Sequence, residues 1–153
     1  MNIEDYLRQN KIRYSKIHHP EAFTAQEVAA AAHVPGGKLA KVVVVRAGDR
    51  YALAVCPASY RLDLDRLSDI VGEPVRLANE AEMDRLFTDS ELGAEPPFGG
   101  IYGLETYVDP SLAESDEIVF DAGTHSDVIK IAYEDFERLA RPKVVEFAER
   151  VPV

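Results

Sequence analysis

The chain has little cysteine and lacks long apolar runs. Cys56 is the one cysteine among 153 residues, which excludes an internal disulfide and a zinc site built from several cysteines. No apolar stretch approaches the ~18 residues of a membrane-spanning helix, and Met1–Asp5 does not have the pattern of a signal peptide. We therefore expect a cytoplasmic protein without a membrane partner.

Basic residues are also scarce, with 17 Lys and Arg against 27 Asp and Glu and a net charge of −10. Proteins that hold nucleic acid along its backbone usually carry a basic surface, because neutralising phosphates dominates their affinity. The composition excludes such a broad face and predicts no DNA partner. Any contact with RNA must be small and local, or a partner must supply the positive charge.

The content of 46% hydrophobic and 29% charged residues is typical of a globular chain. No repeat, low-complexity segment or linker divides residues 1–153, so we predict a single domain. Capping signals predict helices over 2–10, 24–33, 63–72 and 79–87, and residues 133–139 are predicted as a further short helix. Apolar β-branched runs predict strands over 14–17, 39–46, 51–56, 104–108, 117–120 and 128–132, and a strand or helix over 143–147. This irregular order predicts an α+β fold with a mixed, mostly antiparallel sheet and surrounding helices.

Lys41 stands at the entrance of the run Val42–Val45, which predicts a strand packed on both faces. Burying an unpaired ammonium is costly, so this lysine must either extend to water or be held beside an anion. A solvent-facing lysine at a strand edge is the simpler interpretation. Anchoring of an anionic ligand is the functional one.

Residues 92–103 form a predicted loop with four glycines and two prolines. Prolines fix the backbone and glycines let N–H groups approach a ligand, so a rigid set of donors around an anion is possible. A stiff surface connection is the alternative. Binding loops are often built in this way.

His125 follows Gly123 and Thr124 in a predicted tight turn. Its imidazole can donate, accept or relay a proton near neutral pH, although a capping or surface histidine is the more common state. His18 and His19 lack further ligands at a recognisable spacing, so we predict no metal and no cofactor. No phosphate-binding loop or nucleophile motif is present, which favours water as the attacking group if the protein is a hydrolase.

Together, several stretches resemble the YbaK/prolyl-tRNA-synthetase-associated editing domain family, whose members cleave mischarged aminoacyl-tRNA. They are residues 19–28, 40–44, 93–100, 122–125 and 133–139. The resemblance implies a barrel-like α+β fold and a trans-acting aminoacyl-tRNA deacylase. The implied partners are the acceptor end of a mischarged tRNA and a synthetase or translation factor that presents it.

The resemblance also implies a set of site residues. The expected catalytic residues are Lys41, Gly99, Gly100 and His125, with the two glycine N–H groups as oxyanion donors. The expected substrate-binding residues are Thr24, Lys41, Gly93, Pro97, Phe98, Gly123, Thr124 and Ser126. A small basic mouth for the tRNA end is expected from Lys38, Lys41, Arg46 and Lys130.

One position departs from the family pattern, because Glu95 and Pro96 precede Pro97 where many members carry a serine before the proline. This departure and the negative charge motivate a second hypothesis, a non-enzymatic module that binds a small amino-acid-like or nucleotide-like ligand in the same pocket. A third hypothesis is an esterase that acts on a small acyl ester unrelated to tRNA.

Overall fold

A computed structural model describes residues 2–151. The helices are α1 Ile3–Gln9, α2 Ala25–Ala31, α3 Leu64–Val71, α4 Glu80–Leu86, α5 Pro110–Ala113 and α6 Tyr133–Ala140, with a 3₁₀ helix at Gly99–Tyr102. The strands are β1 Ser15–His18, β2 Leu39–Ala47, β3 Arg50–Pro57, β4 Tyr60–Leu62, β5 Val75–Leu77, β6 Glu105–Val108, β7 Glu117–Asp121, β8 Asp127–Ala132, β9 Lys143–Val144 and β10 Ala148–Arg150.

Short polar side chains fix where four helices begin. Asn2, Thr24, Asp63 and Asn79 each accept a hydrogen bond from a backbone N–H in the first turn. Such caps satisfy backbone donors that have no partner within the helix. The predicted starts of these four helices are therefore confirmed.

The main sheet is mixed, as predicted. Within residues 2–151 its order is β1-β8-β7-β2-β3-β6-β9, with β5 also paired to β2. β2 runs antiparallel to β3 and β5 but parallel to β7, and β6 runs parallel to both β3 and β9. Strand β2 thus lies at the centre and carries Lys41 in its third position.

Apolar clusters cover both faces of the central strand. Phe98, Phe120 and Phe136 lie in the largest cluster, which also holds Ala40 and Val44 of β2. Leu39 and Val45 of β2 belong to two other clusters, in which Leu39 lies with Val119 and Val45 lies with Leu67. The prediction of a strand packed on both faces is confirmed.

Three short strands, one short helix and the 3₁₀ helix were not predicted. β4, β5 and β10 have three residues each, too few for an alternating pattern to be recognised. β4 pairs with β10 across more than 80 residues of chain. Their formation depends on tertiary pairing and not on local preference.

Phe98 tests the importance of the largest cluster for folding. Its ring is fully buried and contacts the rings of Tyr6, Phe120 and Phe136 at centroid distances of 5.4–5.8 Å. We expect Phe98→Ala to lower the free energy of unfolding by about 3–5 kcal/mol, because it leaves a cavity. Urea unfolding measures this loss. The matched variant Phe23→Ala, at a ring that is 62% exposed, should lower the free energy of unfolding by less than about 1 kcal/mol. Equal losses in the two variants would contradict the assignment of Phe98 to the core.

Candidate functional site

The glycine-proline loop is fastened to the turn between β7 and β8. The N–H of Gly123 donates to Ala94 O at 3.0 Å, and the N–H of Glu91 donates to Gly123 O at 2.8 Å. The Glu91 carboxylate in turn accepts from the N–H of His125 at 2.8 Å. Gly123 has a φ of +89°, a conformation that favours glycine. Two segments far apart in sequence therefore form one rigid surface.

His125 lies on this surface beside the start of the loop. Its ring packs against that of Phe23 with centroids 4.8 Å apart. A Cβ added at Gly93, which has a φ of +87°, would lie 3.6 Å from the His125 ring. The structure thus brings His125, Gly93 and Gly123 together, as the sequence predicted.

The middle of the loop is packed into the protein. Residues 94–99 are buried, and Phe98 belongs to the largest core cluster. The N–H of Gly99 donates to Thr106 Oγ1 at 3.0 Å, and a Cβ there would meet Leu104 O at 2.4 Å. Two expectations need correction: Phe98 is a core residue and not a ligand contact, and the Gly99 N–H is engaged and not available to an oxyanion.

Gly100 differs from Gly99 because it is exposed and has open space around its α-carbon. Its backbone can be approached from solvent at the first turn of the 3₁₀ helix. Pro97, by contrast, is buried, so its expected role as a direct ligand contact is corrected to stiffening the loop.

Lys41 is half-buried, and its ammonium donates to the backbone carbonyl of Tyr60 in β4. The parallel pairing of β2 with β7 ends at Ala40 and Phe120, so Lys41 and Asp121 are the next residues of the two strands. Leu39 and Val119, two positions earlier, lie in one core cluster. Side chains alternate along a strand, so Lys41 and Asp121 leave the sheet on the same face.

Two acidic side chains lie below the His125 surface. Glu95 is only 2% exposed; its Oε1 accepts from the Gly93 N–H at 3.0 Å, while its Oε2 is buried without a partner in residues 2–151. Asp121 is partly exposed, but its Oδ1 is likewise buried and unpartnered. Neither residue was predicted as part of the site, since their burial arises only when the loop closes over β7.

Burial is the largest influence on the pKa values of Asp121 and Glu95. It raises the pKa of Asp121 from 3.8 to about 7; the positive charge of His125 opposes this change and Glu95 adds to it. Burial also raises the pKa of Glu95, against the hydrogen bond from Gly93 and the charge of His125. The effect of His125 on both carboxyl groups and that of Glu95 on Asp121 place the three residues in one electrostatic cluster.

Three expected binding residues have hydrogen bonds that maintain local structure. Thr24 and Glu27 form a reciprocal capping box at the start of α2. Thr124 donates to Asp127 Oδ2 at 2.8 Å and accepts from the Ser126 N–H at 3.3 Å. Thr24, Thr124 and Ser126 therefore shape the walls of the site, and their contact with a ligand stays a prediction.

The predicted basic mouth is smaller than expected. Arg46 donates to Glu82 Oε2 at 2.7 Å, and this carboxylate also accepts from Arg76 and Tyr51. Arg46 therefore forms an ion pair within the protein, and its predicted contact with the tRNA end is corrected. Lys38 is exposed, and Lys130 lies 4.0 Å from Glu117 with a side chain 40% exposed.

Other features of the described chain lie apart from this site. A cleft of about 340 Å³ is lined by Val45, Tyr51 and Tyr107, among others, and includes none of the predicted catalytic residues. Burial raises the pKa of the Cys56 thiol to about 12, so this residue is a core hydrophobe and not a nucleophile.

Residues 2–151 contain no group of three or more His, Cys, Asp or Glu side chains arranged to hold a metal ion. Among the helices that the structure describes, none is long and apolar enough to cross a bilayer.

Comparison with known proteins gives one family and several relatives. The family model of the aminoacyl-tRNA editing domain matches residues 19–139. Over 101 residues the chain is 38% identical to the multifunctional Ser/Thr-tRNA deacylase ProXp-y of Escherichia coli, in strain K12 and in O157:H7. This match covers 65% of the chain and 60% of those relatives.

Solved structures share the fold at low sequence identity. The hypothetical protein APE2540 has a TM-score of 0.86 and 19% identity, over 96% of this chain and 99% of its own. A protein solved as a proposed trans-editing enzyme for prolyl-tRNA synthetase has a TM-score of 0.82 and 23% identity, over 96% of this chain and 94% of its own. At these identities the likeness shows the fold, and the predicted α+β class is confirmed.

The raised pKa of Asp121 predicts how stability depends on pH. Between about pH 4 and 7 the folded protein retains a proton on Asp121 that the unfolded chain has lost, so stability falls as pH rises and levels off above about pH 7. The slope from this group is at most about 1.4 kcal/mol per pH unit.

Asp121→Asn should reduce this slope, and urea unfolding at pH 5, 6, 7 and 8 measures it. Asp69→Asn, at an exposed position of α3, is the matched control and should keep the wild-type slope. An unchanged slope in Asp121→Asn would contradict the assignment of a buried, proton-retaining carboxyl group.

Proposed function

Because the chain belongs to the aminoacyl-tRNA editing domain family, we propose that it is a trans-acting deacylase, which hydrolyses the ester of mischarged aminoacyl-tRNA. The observation that carries this proposal is the docking of the glycine-proline loop onto the His125 turn, beside the strand end that holds Lys41. The 38% identity to a relative named as a Ser/Thr-tRNA deacylase supports it. We place this activity in the cytoplasm.

The proposed reaction is attack of water on the ester carbonyl carbon. A bond forms between the water oxygen and this carbon, the bond to the ribose oxygen breaks, and a proton passes to that ribose oxygen. The intermediate is a tetrahedral oxyanion, which needs hydrogen-bond donors aimed at it. The N–H of Gly100, an exposed residue, is the backbone donor that we assign to this oxyanion, and the neighbouring ribose hydroxyl can assist.

Lys41 and His125 have separate roles in this proposal. Lys41 exchanges its contact with the Tyr60 carbonyl for the terminal phosphate or ribose of the tRNA, or for the developing negative charge. His125 positions the attacking water at the surface beside Gly93. An aminoacyl ester is intrinsically reactive, so placement supplies much of the catalysis and a strong general base is not required.

Selectivity would come from the size of the pocket. Synthetases reject smaller or nearly isosteric amino acids by only ~100-fold, which makes a second, hydrolytic site useful. The acceptor end of the tRNA needs only a local contact, and the exposed Lys38 and Lys130 are the basic side chains that we assign to it. With a net charge of −10, stronger binding would depend on a synthetase or translation factor that presents the tRNA.

A panel of mischarged tRNAs tests the activity. Seryl-, threonyl-, alanyl- and cysteinyl-tRNA species are incubated with the purified protein, and released amino acid is measured against the protein-free rate. We expect faster release from at least one member. Release at the protein-free rate from all of them would reject the deacylase.

Lys41 tests the assignment of the site. We expect Lys41→Ala to lower the rate of release by about 10- to 100-fold, because a charged hydrogen bond to the reacting end is lost. Lys143→Ala removes a 60% exposed lysine on β9 and should leave the rate within about twofold. Equal rates for the two variants would contradict the role of Lys41, provided that their thermal unfolding matches the wild type.

A non-enzymatic binding module remains the second candidate, favoured by the buried Glu95 in the loop. It would bind an amino-acid-like or nucleotide-like ligand without turnover. Thermal stabilisation by aminoacyl-adenosine, with no release from any mischarged tRNA, would support this module. Turnover abolished by Lys41→Ala would exclude it, and turnover of simple aminoacyl esters but not of aminoacyl-tRNA would favour the small-ester esterase.

A further inference from the structure

Glu95 and Asp121 have no assigned role in the hydrolysis described above, although they lie beneath its proposed site. Each has one carboxyl oxygen that is buried and lacks a hydrogen-bond partner in residues 2–151. Glu95 is held from one side by the Gly93 N–H at 3.0 Å, which leaves Oε2 as its unpartnered atom. Such unpaired carboxyl oxygens are costly to bury and are rare without a functional reason.

The protein itself supplies no Lys or Arg to neutralise this pair. None of the ion pairs in residues 2–151 includes Glu95 or Asp121, and Lys41 donates to Tyr60 instead. His125 is a basic group whose charge lowers the pKa of both. Two buried carboxyl groups, one of which raises the pKa of the other, favour an added cation or a retained proton.

The pair is close to a surface that a substrate can reach. Asp121 is itself partly exposed, Gly93 is exposed, and Phe23, whose ring packs against His125, is 62% exposed. The bonds of Gly123 join the loop that carries Glu95 to the turn that directly follows Asp121. A metal ion would need further ligands, and residues 2–151 contain no group of three that could hold one.

We propose that Glu95 and Asp121 form an ammonium subsite, which binds the free α-amino group of the aminoacyl ester. This inference rests on the proposed deacylase and names the chemical class of its substrate. An α-ammonium group has a positive charge and three N–H donors, which match Glu95 Oε2 and Asp121 Oδ1. Substrates whose amine is acylated, such as N-acetylaminoacyl- or peptidyl-tRNA, lack both the charge and two of the donors and would be rejected.

The raised pKa of both carboxyl groups agrees with this assignment. In the free protein burial disfavours the ionised form of both groups. A bound ammonium would favour that form. Glu95 is then the loop residue that recognises the amine.

The test compares an aminoacyl-tRNA that the protein hydrolyses with its N-acetylated derivative. We expect the wild type to act on the free amine at least about 50-fold faster, measured as kcat/KM. In the double variant Glu95→Gln, Asp121→Asn, this preference should fall below about fivefold. Glu80→Gln, Asp69→Asn loses the same two charges at exposed positions and should keep the wild-type preference.

A binding measurement tests the ammonium subsite even if the protein does not hydrolyse the substrate. An amide-linked aminoacyl-adenosine, which resists hydrolysis, should raise the Tm of the wild type and of the control variant, but its N-acetylated form should not. The double variant should respond to neither.

The outcomes separate the subsite from the deacylase. Equal hydrolysis of free and acetylated substrates would overturn the subsite and leave the deacylase standing. Absence of all release, with a Tm shift specific to the free amine, would reject the deacylase and retain amine recognition. Equal Tm shifts by the two adenosine derivatives would overturn the subsite.

Discussion

The reciprocal backbone bonds between Gly123 and the 91–94 segment are the constraint on which the site depends. They tie a loop that follows α4 to a turn that follows β7. This closure buries Glu95 and sets Gly93 against His125. Without it, the loop would be an ordinary surface connection, and the residues that we assign to the substrate would not meet. Gly123 makes both bonds, and Gly93 lies between its two partners. Both glycines have a positive φ, a conformation that favours glycine.

Core packing fixes the position of the second part of the loop, residues 98–100. Phe98 anchors the far end of the loop in the largest core cluster, and Thr106 holds the Gly99 N–H. Gly100 is consequently presented to solvent at the start of the 3₁₀ helix. The rigidity of the loop is therefore a consequence of core packing. The acidic composition is compatible with the deacylase that we propose, because a preorganised pocket needs to contact only the end of its ligand.

Much of the fold could be predicted because its signals are local. Asn2, Thr24, Asp63 and Asn79 cap helices within a few residues of themselves, and the β-branched run after Lys41 predicts a buried strand. Three-residue strands such as β4 and β10 depend on partners far along the chain. The roles of Gly99 and Asp121 were missed for the same reason. An occupied N–H and a buried carboxyl oxygen depend on which segments meet, and a single sequence does not contain that information.

The central claim is that the aminoacyl end of the substrate binds between the loop, the His125 turn and Lys41. Titration of the ¹⁵N-labelled protein with an amide-linked aminoacyl-adenosine, followed by NMR, tests it most directly. We predict that the largest shifts fall on the backbone N–H groups of Gly93, Gly100, His125 and Lys41. Shifts concentrated instead around Val45 and Tyr107, which line the separate cleft, would contradict the account.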